Sequence, residues 1–241
     1  MGDNPCIDCM DSVFVSNGNT NSYRLPTSTY YAYSYSQQIY NASEISRING
    51  KINCISFQYI NPTPQFRQIK IYLANTAKNS FANGSDWVPM SDMTLVYDGA
   101  LYLHNGGPNY WINVPLNQPF EWNGSDNIVV ALLDNTGHNT TSSSNTFYVH
   151  SISNRSIYTQ NTTTPIEPMG GSYSGTMGTV RSNIRFMLGD SITCVMPSAL
   201  QVNEISENSA TASWIPRGGS NNFDVVLVPE GSALENEGMQ T

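Results

Sequence analysis

The chain has 241 residues, only 12% of them charged, and a formal net charge of −8. Asn, Ser and Thr supply 76 residues, whereas Lys occurs only at positions 51, 70 and 78. These figures exclude a helical bundle, which draws on Ala, Leu, Glu and Lys, and leave no basic stripe to neutralise nucleic-acid phosphates.

A hydrophobic share of 39% with 11% aromatics is enough for a core, so the chain is not disordered. Residues 1–20 read as a leader. Their opening, MGDNPCIDCMDS, has neither the basic n-region nor the apolar h-region of a signal peptide. No stretch approaches the roughly 18 apolar residues of a membrane helix, so no membrane insertion is expected. Cys6 and Cys9 form a C-x-x-C without a second pair at zinc-site spacing or a βαβ setting for redox chemistry.

Strand and turn signals then alternate. Residues 12–16 alternate briefly before the turn cluster NGNTN at 17–21. Residues 29–35 (TYYAYSY) place Tyr31, Tyr33 and Tyr35 on one strand face, where they would form a cross-strand ladder. Residues 42–48 could form one helical turn. In residues 51–60 (KINCISFQYI), strict alternation puts Ile52, Cys54, Ser56 and Gln58 on one face and Ile55, Phe57 and Tyr59 on the other. Cys54 reads as a small buried thiol of its face.

Residues 67–74 point Ile69, Ile71 and Leu73 to one side. Strands follow at 94–98, 100–104 and 110–114, and the apolar run NIVVALL at 127–133 suits a sandwich interior. Further strands are expected at 146–151, 156–159 and 183–188. Residues 105–107 and Asn123-Gly124 supply turn positions that accept positive φ. Roughly ten to twelve short strands at this spacing predict an all-β fold, a jelly-roll-like β-sandwich over residues 21–190.

The register changes near Gly189. From 194 onward, CVMPSALQVNEISENSATASWIP followed by FDVVLV resembles the start of a fibronectin type III domain. Its first three strands would occupy 201–205, 209–215 and 223–228, so residues 194–241 are expected to be an incomplete domain of that kind. In domains of that kind the leading cysteine commonly pairs with one near the domain's end, a position that would lie beyond residue 241, so the resemblance leaves Cys194 without that partner here. The acidity concentrates here, with six acids against Arg217, whereas residues 1–193 hold twelve acids and nine bases. The larger domain is therefore nearly neutral.

In that larger domain, TSTYYAYSYSQQIYNASEI, IKIYLANT, the segment ending SDWVP, LVYDG and PLNQPFEWNGSDNIVVALLDNTG occur in one order across residues 22–188. Together they resemble a β-domain of large secreted proteins from Bacteroidetes-type bacteria, akin to the cleaved-adhesin jelly rolls that accompany gingipain-like proteases. The resemblance implies a secreted or cell-surface location, an adhesion or ligand-binding role and often a bound calcium ion.

The residues themselves carry no catalytic signature. His104, His138 and His150 stand in no G-x-S-x-G, H-E-x-x-H or Cys/His arrangement, and most acids sit in turns rather than as paired carboxylates. The expectation is therefore not an enzyme. Calcium takes six to eight oxygens from loop carboxylates, amides and carbonyls, which makes Asp126, Asn127, Asp134 and Asn135, flanking the apolar run, the candidate ligands. Loop aromatics can stack on sugar rings, and Trp87, Tyr110, Trp111, Trp122 and Tyr173 are the candidates. These expectations describe a non-catalytic carbohydrate-binding or cell-adhesion module. Its partners would be glycans, a host or extracellular-matrix protein, and other domains of the same polypeptide. A structural spacer beside a secreted protease or glycoside hydrolase is the alternative.

Overall fold

Period-two patterning turns most of the chain into strand. The computed structural model describes residues 11–15, 18–45, 50–60, 64–104, 110–139, 146–168, 173–189 and 198–215. Cys6, Cys9, Cys194, the turn at 105–107 and the strand expected at 223–228 lie outside them. The chain divides into two compact units, Met1–Ile192 and Thr193–Thr241.

The first unit contains β1 (Asp11–Val15), β2 (Thr20–Ser22), β3 (Tyr33–Tyr40), the helical turn α1 (Ala42–Ile45), β4 (Gly50–Ile60) and β5 (Gln65–Thr76). It continues through β6 (Thr94–Leu103), β7 (Trp111–Trp122), β8 (Asn127–Asp134), β9 (Thr146–Ser151) and β10 (Ser156–Asn161) to β11 (Thr176–Met177), β12 (Val180–Ser182) and β13 (Ile184–Leu188). One sheet runs β1-β13-β4-β9-β12, with β2 on β9 and β7 on β4; the other runs β11-β10-β3-β8-β5-β6. All the pairings given for these strands are antiparallel.

The two sheets form an all-β sandwich. Ile55, Phe57 and Tyr59 of β4, Ile112 and Val114 of β7 and Phe186 of β13 meet Ile69, Ile71 and Leu73 of β5 and Ile128, Val130 and Leu132 of β8 in one buried cluster. Burial of such side chains at roughly 25 cal/mol per Å² is the main stabilising term.

Three expectations are corrected. Strict alternation in β4 fails at Asn53, an extra residue between Ile52 and Cys54, which pair with the adjacent Leu188 and Met187 of β13. The extra residue of a bulge turns Ile52 into the core beside Ile55, and the Asn53 amide donates to the carbonyls of Lys51 and Gly189. Cys54 is buried against Met187 on the other side. The tyrosine ladder does not form either: Tyr30 and Tyr31 belong to the turn before β3, and Tyr35 stacks on Trp87 instead. Finally, the strand expected at 110–114 continues through Pro115 and Pro119 to Trp122. Among the described residues β7 pairs with β4 alone, so proline nitrogens can face its other edge at little cost.

The second unit contains, among its described residues, the hairpin of β14 (Ser198–Asn203) and β15 (Thr211–Ile215). Its turn is closed by a hydrogen bond from Ser206 N–H to the Ser209 carbonyl, 2.8 Å. No helix among the described residues is long and apolar enough to cross a membrane.

Candidate functional site

The titratable groups closest to the core are used internally. Arg181, on β12, is fully buried and donates to both carboxylate oxygens of Glu44 (2.6 and 2.9 Å) and to the carbonyl of Ile39. It also lies over the Tyr40 ring and donates to Nε2 of His150. With Nε2 accepting, Nδ1 must carry the proton and donate to the Asn183 side-chain oxygen at 3.1 Å, which makes His150 neutral. Burial, and next the Arg181 charge, push its pKa below the ordinary histidine value.

Glu44 shifts down as well: burial works to raise it, but hydrogen bonds from Arg181 and the Asn41 backbone outweigh that. Below about pH 6.5 the unfolded chain takes a proton at His150 that the folded protein resists. Stability is therefore complete above that pH and falls on acidification, at up to about 1.4 kcal/mol per pH unit for the one proton. The urea midpoint should drop from pH 7.5 to 5.5, and His150→Gln should flatten that drop. A wild-type midpoint constant across the range would refute the assignment.

The four candidate calcium ligands lie at opposite ends of β8, roughly 23 Å apart at 3.3 Å per residue, so no single ion could join them. Asp134 is fully buried; its Oδ2 accepts from Arg67 Nε at 2.8 Å and Thr27 Oγ1 at 2.9 Å, and its Oδ1 accepts from Thr136. Arg67 supplies the positive charge that an ion would otherwise bring. Asn135 exchanges two hydrogen bonds with the Ile166 backbone. At the other end, Asp126 accepts from the Asn123 amide, and Asn127 bridges Ala42 N–H and the Lys78 carbonyl. Asp134 and Asn135 thus spend their side-chain oxygens on protein donors. Among the described residues no three His, Cys, Asp or Glu side chains converge on a metal-sized space.

The five candidate aromatics separate. Trp122 is 2% exposed, its ring in the core and its Nε1 donating to the Asp126 carbonyl, which corrects the expectation of a loop-borne ligand contact. Its long strand carries it under the sheet. Trp87 and Tyr173 come together: the indole N–H donates to the Tyr173 carbonyl at 2.8 Å, and the ring stacks on Tyr35 with centroids 5.0 Å apart. Gly175 permits this approach, because a Cβ there would lie 2.5 Å from the Trp87 ring. Both residues are half-buried covers of the six-stranded sheet.

Trp111 meets Phe14 edge-on at 5.6 Å, and the Arg185 guanidinium lies 5.5 Å from each ring. Arg185 also donates to Ser56 and Asn113 on the neighbouring strands.

Tyr110 belongs to an arrangement that the sequence reading did not assemble. Phe66 on β5 and Tyr102 on β6 are register partners, stacked with centroids 4.5 Å apart and planes at 27°. Tyr102 stacks on His104 at 5.0 Å, and the His104 ring lies 4.8 Å from that of Tyr110, whose hydroxyl is 2.9 Å from His104 Nε2. Phe66 is 62% exposed and Tyr102 43%. Exposed aromatics in one contiguous row are surface that folding alone leaves unspent.

Along the same face, the next register pairs are Gln68 with Ala100 and then Lys70 with Asp98, an ion pair at 3.1 Å. Stacked rings are thus followed by an amide, an ammonium and a carboxylate within about 20 Å of strand. A signal for the row was present: Phe66 and Tyr102 have the parity opposite to buried Ile69, Ile71, Leu101 and Leu103.

No protein-family model matches the chain, and no curated protein is significantly similar to it. One solved structure with a detectable likeness contains the cysteine protease and lectin-like domains of Cwp84, a surface layer associated protein of Clostridium difficile. The match is 16% identical, covers 66% of this chain and 32% of that one, and has a TM-score of 0.37. The chain therefore spans about a third of that structure, and a likeness at this level assigns neither family nor activity.

Proposed function

We propose that the first unit is a non-catalytic carbohydrate-binding or adhesion module of a protein that works outside the cell. The observation that carries this reading is the exposed Phe66–Tyr102–His104–Tyr110 row beside Gln68 and the Lys70–Asp98 pair. Aromatic faces take up the apolar C–H faces of a sugar ring, while amide and charged groups meet its hydroxyls. His104 stacks within the row and His150 is locked into the Arg181 cluster, which supports a structural use of these two histidines. Calcium is not part of the proposal, because the candidate ligands lie at opposite ends of β8 and do not converge on one ion.

A glycan array with the whole chain tests it. Tyr102→Ala should lower binding of any retained glycan about tenfold, since covering an exposed aromatic ring is worth about 1–2 kcal/mol. Its melting temperature should stay close to wild type, because the ring lies on the outer face and belongs to no core cluster. Failure to retain any glycan would count against the proposal and favour a structural spacer.

A further inference from the structure

A second surface, on the segment between β2 and β3, has a different chemistry. Each lysine of the chain faces a carboxylate: Lys51 with Glu121, Lys70 with Asp98, Lys78 with Asp86. The buried arginines do likewise, Arg67 with Asp134 and Arg181 with Glu44. Arg24 differs. It is exposed, and its side-chain partners are two phenols: Nη1 donates to the Tyr158 hydroxyl at 2.6 Å and Nη2 to the Tyr23 hydroxyl at 2.8 Å. Its guanidinium carbon lies 5.0 Å from the Tyr23 ring centroid and 5.6 Å from that of Tyr158.

Two neutral oxygens thus orient the guanidinium without cancelling its charge. Of its five N–H donors, these two bonds use two, which leaves Nε–H and one N–H on each terminal nitrogen for an incoming acceptor. Around it, Tyr23 meets Tyr30 edge-on at 6.1 Å and Tyr30 meets Tyr31 at 5.4 Å; Tyr30 is 39% exposed. The site is therefore one fixed positive charge bordered by aromatic faces.

We infer that Arg24, held by Tyr23 and Tyr158 and flanked by Tyr30, is a subsite for a single carboxylate-bearing sugar. The inference rests on the glycan-binding reading above in taking the ligand to be a carbohydrate. The planar fork matches a carboxylate in two-point contact, and the tyrosine faces suit the attached ring. One guanidinium at this site, on a chain of net charge −8, favours a monoanionic residue over a polyanion.

The test measures binding of the whole chain by calorimetry to sialyllactose, to an oligosaccharide ending in glucuronic acid, and to neutral lactose and cellotetraose. At least one carboxylated probe should bind tenfold or more tightly than its neutral counterpart, the stronger of the two identifying the acid, with the preference shrinking between 50 and 500 mM salt. Arg24→Gln should abolish the preference, and Arg24→Lys should keep only part of it. Tyr30→Ala should weaken the acidic probe about threefold or more and provides a reading independent of Arg24. Equal binding of acidic and neutral probes, or a preference that survives Arg24→Gln, overturns the subsite. If neutral sugars still bind and Tyr102→Ala weakens them, the glycan-binding reading stands without it. If no probe binds, both fall.

Discussion

Arg67→Ala is expected to cost about 3–5 kcal/mol of folding stability, because it strands the fully buried Asp134 carboxylate without its counter-charge. The loss should be larger than that of a simple cavity. The same guanidinium ties three carbonyls into one place, donating to His138 at 2.7 Å, to Tyr31 at 2.9 Å and, at the limit of hydrogen bonding, to Ser28 at 3.5 Å. Asp134→Ala should do comparable damage from the other side, leaving a buried cation and releasing Thr27 and Thr136. The exposed Lys51–Glu121 pair, at 3.3 Å, is the control: Glu121→Ala should cost well under about 1 kcal/mol. Urea denaturation of the three variants decides the matter, and a loss under 1 kcal/mol for Arg67→Ala would falsify the assignment of this pair as a structural anchor.

Trp122→Ala should be nearly as harmful, at about 3–5 kcal/mol, because it empties a large core position. Trp122→Phe keeps most of the volume but removes the indole N–H that satisfies the Asp126 carbonyl at 2.8 Å, and should cost about 1–3 kcal/mol. Any loss of glycan binding in Trp122→Ala would then track unfolding, whereas in Tyr102→Ala binding would fall with the fold intact. Melting curves recorded beside the binding measurements separate the two. A Trp122→Ala protein with a wild-type melting temperature would contradict the buried placement.

Much of the sandwich is legible as parity. Ile69, Ile71 and Leu73 alternate into the core as their spacing predicts, and the run from Asn127 is buried along almost its whole length. The turn at 123–126 is also readable. Gly124 takes φ of 78°, and the Asn123 side-chain oxygen accepts from the backbone N–H groups of Ser125 and Asp126.

What is not legible is non-local. Nothing near Asp134 announces an arginine 67 positions away, so a carboxylate at a strand end reads as a metal ligand when it is half of an ion pair. Likewise Phe66 and Tyr102 become a stacked pair only through the β5–β6 register, although each alone could be placed on the outer face. The β4 bulge turns Ile52 to the core unannounced, since one extra residue against β13 leaves no mark in a period-two pattern.

The pairing of β1 with β13 sets how the domain carries a mechanical load. Asp11 lies opposite Leu188 and Val15 opposite Ile184, so the chain enters and leaves the sandwich at neighbouring points. Tension applied from outside both points pulls on the same end of one antiparallel ladder. The hydrogen bonds between β1 and β13 are then loaded in succession, as in a zipper, and not all at once in shear. The sandwich behind them hangs to the side of the line of force.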